Sequence, residues 1–257
     1  LFVAKIAIFN QKGGVGKTTT SLNLSAALTR RGHTPLSIDL DPQAHLSAIT
    51  GTTVERADDS IFGFYHAQKP LAQLARQSVG GWPVIPAHME LSKVDSTYGK
   101  GPQVLNRLHT GIVRENLNTG RPIIIDCCPI LGVLSLNAIF ACDRILIPVS
   151  ADWLAVKGVL QVDKTLRALE QHVFKHKLMR RFVITRFDTR RRMSHDIYEQ
   201  IGARFGDELC KTRISENVSV AESPAANEDV FTHSPDSRGA QDYDALLDEL
   251  IESGFVS

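Results

Sequence analysis

The sequence predicts an α/β fold, a mainly parallel twisted sheet with helices on both faces, and three observations carry that expectation. Short apolar runs alternate with amphipathic helical stretches, the pattern of βαβ units. A cluster of glycines joins the first apolar run directly to the first helical stretch. No repeat or low-complexity linker interrupts the 257 residues, so one domain over residues 1–257 is the economical expectation.

In chain order, Val3–Phe9 reads as a first strand, buried or nearly so, followed by Gly13, Gly14 and Gly16. Leu22, Leu24, Ala26, Ala27 and Leu28 fall broadly on one side of a helix that Gly32 stops. Pro35–Asp41 is a second short strand ending in acid, and residues 50 to 82 read as loop with short helices. Trp82–Pro86 is a short strand; a helix from about Val104 to Leu117 leads into the strand Pro122–Asp126. Arg144–Val149 comes next, and the helix after it turns Val156, Val159, Leu160, Leu166 and Leu169 largely toward a core. The strand Phe182–Thr185, a helix near Ser194–Phe205 and a last helix over roughly Ala240–Ser253 complete the set.

Composition excludes several classes. Hydrophobic content of 43%, charged content of 22% and a net charge of +1 are ordinary for a globular protein, so bulk charge points to no partner. The apolar runs fall far short of the ~20 residues a membrane span needs. The stretch Leu1–Phe9 is broken by Lys5 and runs into the glycines, unlike a secretory leader. A cytoplasmic location is therefore expected, and the opening Leu1 leads us to expect a trimmed or replaced natural start. Cys127, Cys128, Cys142 and Cys210 form neither a C-x-x-C pair nor a zinc spacing; reduced, mostly buried thiols are expected.

The segment Gln11-Lys12-Gly13-Gly14-Val15-Gly16-Lys17-Thr18-Thr19, between strand and helix, carries the most chemistry. Glycines let the backbone turn tightly and aim N–H groups inward, and the helix N-terminus adds a positive dipole end. The common phosphate-loop pattern G-x-x-x-x-G-K-[ST] would begin at position 11, where the chain has Gln11, yet Gly16-Lys17-Thr18 is intact. Lys17 can reach β- and γ-phosphates, the Thr18 hydroxyl can ligate Mg²⁺, and Thr19 can bond the α-phosphate. Ile123-Ile124-Ile125-Asp126 is an apolar strand ending in acid, placed to hold Mg²⁺ through water, since that ion keeps several waters. Asp39 and Asp41 lie at the end of another strand, where open α/β sheets bind ligands, and both face one side if the extended geometry persists. Asp41 before Pro42 also suits a plain turn.

The run K-G-G-x-G-K-T-T resembles the deviant Walker A loop of the ParA/MinD group of P-loop ATPases. So do Asp39-Leu40-Asp41-Pro42-Gln43-Ala44 and, with one Pro and the Ser lost, Asp126-Cys127-Cys128-Pro129-Ile130-Leu131-Gly132. The resemblance implies ATP and Mg²⁺ as ligands, hydrolysis of ATP, and a homodimer when ATP is bound. It implies that Lys12 crosses the seam to the partner's nucleotide, as an arginine finger does; a solvated loop lysine is the alternative. Asp41 would orient the attacking water, and Asp39 would support the phosphate and metal region. Asp152 sits where relatives carry an acid near the seam and either meets the partner's Lys12 or ribose or caps a surface helix. Arg186 and Phe187 are similar to a segment lining the base pocket.

Arg190 matches a position at which relatives bind DNA non-specifically, and Arg191 and Arg192 add to it. Residues 175 to 213 hold eleven Lys/Arg against five Asp/Glu, a local +6, enough to attract phosphate backbones. Two arginines of the family pattern become Glu216 and Ser219, and residues 214 to 257 carry a local −9. The implied function is a positioning ATPase, nucleoid-associated, whose hydrolysis a ParB-like or analogous cargo adaptor stimulates. Its cargo would be a plasmid, a chromosome or a protein assembly such as a carboxysome or chemoreceptor cluster. A MinD-like membrane switch needs a basic amphipathic C-terminal helix, whereas Asp242–Glu252 is acidic. A metabolic enzyme on the same scaffold is the remaining alternative. A nitrogenase-reductase-like donor lacks a second cysteine between residues 83 and 110, and a ligase leaves Lys12 without a use.

Overall fold

The computed structural model describes residues 3–98, 101–174 and 177–256. Among the described residues eight strands form one sheet: β1 (Lys5–Ile8), β2 (Leu36–Leu40), β3 (Arg76–Gln77), β4 (Pro83–Ile85), β5 (Ile123–Cys127), β6 (Arg144–Ser150), β7 (Met179–Phe187) and β8 (Leu209–Ser215). Their order is β3-β4-β2-β5-β1-β6-β7-β8. Every pairing is parallel except that of β3 with β4. Among the described residues six helices reach eight residues or more: α1 (Lys17–Arg30), α2 (Arg107–Arg114), α3 (Val133–Ala141), α4 (Ala155–Leu169), α5 (Arg192–Phe205) and α6 (Arg238–Glu252).

Two apolar layers sandwich the sheet. The central strands β1, β2 and β5 are covered on both faces, so they read as continuous apolar runs rather than alternating ones. Ile6, Ile8 and Ile124 enter one layer, while Ala7, Ile123 and Ile125 enter the other. This two-sided covering is why those strands are visible in the sequence.

Helix α1 departs from the one-sided helix expected there. Residues 20 to 28 are all buried, because α1 lies between the sheet and α6. Its polar groups are satisfied locally: Ser25 and Thr29 hydroxyls donate to the carbonyls of Ser21 and Ser25 at 2.7 and 2.8 Å, a back-bonding that makes such residues tolerable inside a helix. Asn23 Oδ1 also accepts from the Val230 amide at 2.9 Å.

Elsewhere the expected bounds shift. The helix expected over Val104–Leu117 is broken into Pro102–Leu105 and α2. The last helix starts at Arg238, where Ser237 caps it by accepting from the Ala240 amide. Strand β8 and helix α3 lie outside the expected elements. In β8, Lys211 and Arg213 face outward, so its apolar signal is weak. Carboxylates on α6 cover its main-chain amides: Glu249 accepts from Lys211 and Thr212, both at 2.7 Å, and Asp242 from Ser215 at 2.8 Å. A sheet edge covered in this way cannot pair with another strand there.

Candidate functional site

The glycine loop follows β1, the strand at which the chain changes direction across the sheet, and ligands of open α/β folds bind at such a point. Gly14 and Gly16 adopt φ of +72° and +88°, a region that glycine enters without a Cβ penalty. Gly16 is the residue before α1, so the turn delivers the first free amides of that helix to the loop's interior. Three hydrogen bonds that no motif signals hold the loop in place. Asn10 donates to the Pro148 carbonyl at 2.7 Å while its Oδ1 accepts from the Lys12 amide at 3.0 Å. Thr185 donates to the Val15 carbonyl at 2.9 Å. Gln11, at the position of the missing glycine, accepts from the Thr165 hydroxyl at 3.3 Å.

Lys17 is buried, and its ammonium donates to the Lys12 carbonyl at 3.0 Å, folded back over the loop. Burial pushes its pKa down, while Asp126 and other nearby groups oppose that shift. Asp126, the next-to-last residue of β5, lies directly beside β1 and β2, aligned with Ile8 on one and Asp39 on the other. It accepts from the hydroxyls of Thr18 at 2.7 Å and Ser21 at 3.0 Å. Burial and the neighbouring Asp39 push its pKa up. Ser21 lies one helical turn beyond Thr18, a spacing that puts both hydroxyls on one face, and this was the available clue to it. An all-oxygen cluster of hydroxyl and carboxylate beside the start of α1 suits Mg²⁺, which takes few protein ligands and keeps several waters.

The second acid pair differs from the strand-face expectation. Strand β2 ends at Leu40, so Asp39 and Asp41 do not share a pleated face. Asp39 is enclosed, and its oxygens accept from the Asp41 amide at 3.1 Å and from the Ser47 amide and hydroxyl at 2.9 and 2.7 Å. Burial raises its pKa. Its carboxylate thus folds the chain after β2 and is engaged by protein groups on both oxygens. Asp41 is half-buried, near enough to Lys17 to influence its charge, and accepts from the Gln43 amide at 3.0 Å.

Lys12 and Asp152 meet within the same chain. The Lys12 ammonium donates to both oxygens of Asp152, at 2.7 and 2.6 Å. Asp152 also accepts from the Leu154 amide at 3.0 Å, closing the turn before α4. The lysine that Asp152 holds here is its own chain's, and its bond to Leu154 closes a turn ahead of α4 without capping that helix.

Beside the loop lies a cavity of about 350 Å³, walled by Gly16, Thr19, Arg186, Asn217, Val220 and Tyr243. Arg186 holds φ of +51°, a strained turn for a residue with a Cβ. Phe187 does not line this cavity; its ring is buried and lies against Arg213, His195 and Tyr198. The alternation of β7 turns it to the opposite side from Arg186. Sequence reasoning missed Tyr243 and Asn217, which come from distant parts of the chain.

The comparisons with known proteins agree with this geometry. A family model described as an AAA domain matches residues 3–179. The sporulation initiation inhibitor protein Soj of Bacillus subtilis is 33% identical over 97% of this chain and 98% of its own length. The chain belongs to the ParA/MinD-type ATPases. The chromosome partitioning protein ParA of Caulobacter vibrioides is 32% identical over 96% of this chain and 93% of its own. Among solved structures, a cobyrinic acid a,c-diamide synthase from Mycobacterium smegmatis with bound ADP and magnesium has a TM-score of 0.83 at 25% identity, covering 98% of this chain and 96% of that one. The protein is thus a ParA-like positioning ATPase, and the phosphate loop with its acids fits ATP and Mg²⁺.

The basic stretch of this ParA-type chain is not one patch. Arg180 is fully buried, paired with Asp163 at 3.0 Å and Glu170 at 2.6 Å. Arg181 donates to the Asp207 carbonyl, and Lys177 pairs with Glu208 at 3.3 Å. These sit at the start of the nine-residue strand β7, about 25 Å from its other end at the usual rise. Lys175 lies outside the described residues. At the other end Arg190, Arg191 and Arg192 are exposed, but Asp188 pairs with the first at 3.0 Å and the second at 3.2 Å. Arg192 lies 3.8 Å from Asp196. The local +6 therefore overstates the charge offered on any single face.

The features of the alternatives are also located. Leu246, Leu247 and Leu250 of α6 are buried in the core, so that helix has no free apolar stripe for a bilayer. Among the described residues no helix is long and apolar enough to cross a membrane. All four cysteines are free and buried.

Proposed function

We propose that the protein closes into an ATP-bound sandwich homodimer, holds DNA without reading its sequence, and releases it when a cargo-bound adaptor stimulates hydrolysis. The single observation that carries this reading is the division of labour between two lysines. Lys17 is buried under the loop, where the phosphates of the chain's own nucleotide belong, so that position is already served. Lys12 stands at the loop's mouth, held by Asp152 in a pair whose side chains are each about one-third exposed. Such a pair is worth at most about 1 kcal/mol, so Lys12 can leave it for a stronger anion. A second copy's γ-phosphate, brought face to face, is such an anion.

Hydrolysis then follows from the residues in place. Asp41 orients a water on the γ-phosphorus; the new P–O bond forms as the bond to the β–γ bridging oxygen breaks, giving ADP and phosphate. Lys17 in cis and Lys12 in trans offset the charge that develops on the transferred group. Thr18 and Asp126 would hold Mg²⁺, which when bound neutralises β- and γ-phosphate oxygens. Loss of the γ-phosphate removes what Lys12 grips, which opens the dimer. Residues 1–257 work as one domain in this scheme, with Arg190–Arg192 as the DNA contact and the cytoplasm, on the nucleoid, as its setting. The cargo is a plasmid, a chromosome or a protein assembly.

A gel shift on plain duplex DNA at stated salt, with ATP, ADP or neither, tests the reading. A shift with ATP alone is expected. No shift at any salt would overturn the DNA step and favour a metabolic ATPase, the reading suggested by the name of the Mycobacterium smegmatis structure.

A further inference from the structure

One tryptophan stands out from the surface around the phosphate loop. Trp153 is 79% exposed, and among the described residues it is the only exposed Phe, Tyr or Trp. The chain's other tryptophan, Trp82, is 1% exposed and donates to the Ser37 hydroxyl. A large aromatic left in water gives up the burial that normally stabilises it. Exposed aromatics are enriched instead at the centres of protein interfaces.

Its place in the fold indicates which interface. Strand order sets β5, β1 and β6 side by side. The segment after β1 is the phosphate loop with Lys12, the one after β5 holds Ile130, and the one after β6 holds Trp153. Ile130 is itself 68% exposed. Two apolar side chains therefore flank Lys12 from the neighbouring strands, each strand about 4.8 Å from the next. Trp153 directly follows Asp152, the residue that grips Lys12. Lys12 cannot reach another copy's nucleotide without bringing this turn to the same seam.

We infer that Trp153, with Ile130, is the apolar anchor of the nucleotide-closed dimer, and that its occupant is a second copy of this chain. The inference rests on the sandwich-dimer reading and deepens it. A two-fold seam is self-complementary, so each copy supplies the same two side chains. A charged loop alone would give specificity with little affinity; the tryptophan supplies buried apolar area beside it. Asp152 and Trp153 share one turn, so closure that buries the ring also moves the acid that restrains Lys12.

The test uses the intact chain with AMPPNP and magnesium. Light scattering measures dimerisation, and tryptophan emission is followed in parallel, since Trp82 is already buried and only Trp153 has an environment to change. The expected result is a blue shift on dimer formation that is absent in Trp153→Phe. Trp153→Ala should weaken dimerisation about 30-fold, Trp153→Phe should restore most of it, and nucleotide affinity of the monomer should stay the same. Ile130→Ser should weaken the dimer to a smaller extent. A dimer that forms with no emission change and equally well in Trp153→Ala overturns the anchor while leaving the sandwich reading intact. An unaltered chain that stays monomeric with nucleotide overturns both.

Discussion

Two regions of the molecule bear family-like motifs, and they differ in what holds them. In the phosphate corner, Thr18, Ser21, Asp39, Ser47 and Asp126 come from four separate elements and are joined by short bonds, mostly in buried positions. On the arginine ridge, Arg190 to Arg192 are exposed and share Asp188, Asp196 and the more distant Glu216. Burial leaves a polar group few arrangements, because an unpartnered one costs about 1–3 kcal/mol. Exposure leaves many, so the ridge acts through summed charge, and summed charge depends on neighbours that a count along the chain does not see.

The largest effect expected from breaking this contrast is in the corner. Asp126→Ala should cut magnesium-dependent ATP turnover by roughly 10³-fold or more, read in a steady-state phosphate-release assay. Turnover within a few-fold of the unaltered chain would place the metal site elsewhere.

Arginine at the two ends of β7 gives the next comparison. Arg180→Met removes the buried cation that Asp163 and Glu170 share and should cost about 3 kcal/mol in urea unfolding. Arg190→Ala removes a pair whose arginine is exposed and should shift the urea midpoint far less. Equal costs would mean that burial does not separate the two regions.

DNA affinity sharpens the ridge itself. Arg190→Ala should weaken binding and lower the slope of affinity against salt by about one. Glu216→Arg, which removes an acid 3.9 Å from Arg191, should strengthen binding and steepen that slope. Opposite signs would exclude this face as the contact.

The smallest expected effect is acid sensitivity. Asp188, hydrogen-bonded to Arg190, has its carboxyl held down to about 2. A carboxylate with a depressed pKa contributes stability above its unfolded value, near 3.9, and loses it as pH falls through the folded value. Arg190→Ala should thus narrow the gap from the unaltered chain only between about pH 4 and pH 2, with the difference unchanged above it. A difference that grows on acidification would contradict this pairing.

Much of the corner was legible in the sequence for a physical reason. Central parallel strands must be apolar on both faces, so the acids that end them stand out, as Asp126 does after three isoleucines. Glycines that need positive φ mark the loop in the same way. What stayed hidden were contacts between distant segments: Asn10 with Pro148, Thr185 with Val15, and Tyr243 in the cavity wall. The pleat argument for Asp39 and Asp41 failed because Asp39 bends the chain with its own carboxylate. The ridge was read too generously because Arg180 looks like any surface arginine until its two carboxylates are brought to it by folding.

The proposed exchange of lysines across a dimer is tested most directly by mixing two inactive variants. Lys12→Ala keeps its own phosphate site but lends no cation; Lys17→Ala lends the cation but lacks its own site. Each alone should be inactive, and their mixture should recover roughly a quarter of the normal rate, since half of random pairs are mixed and each holds one complete site. A mixture that stays inactive, or a Lys12→Ala chain that hydrolyses ATP normally by itself, would contradict catalysis across the seam.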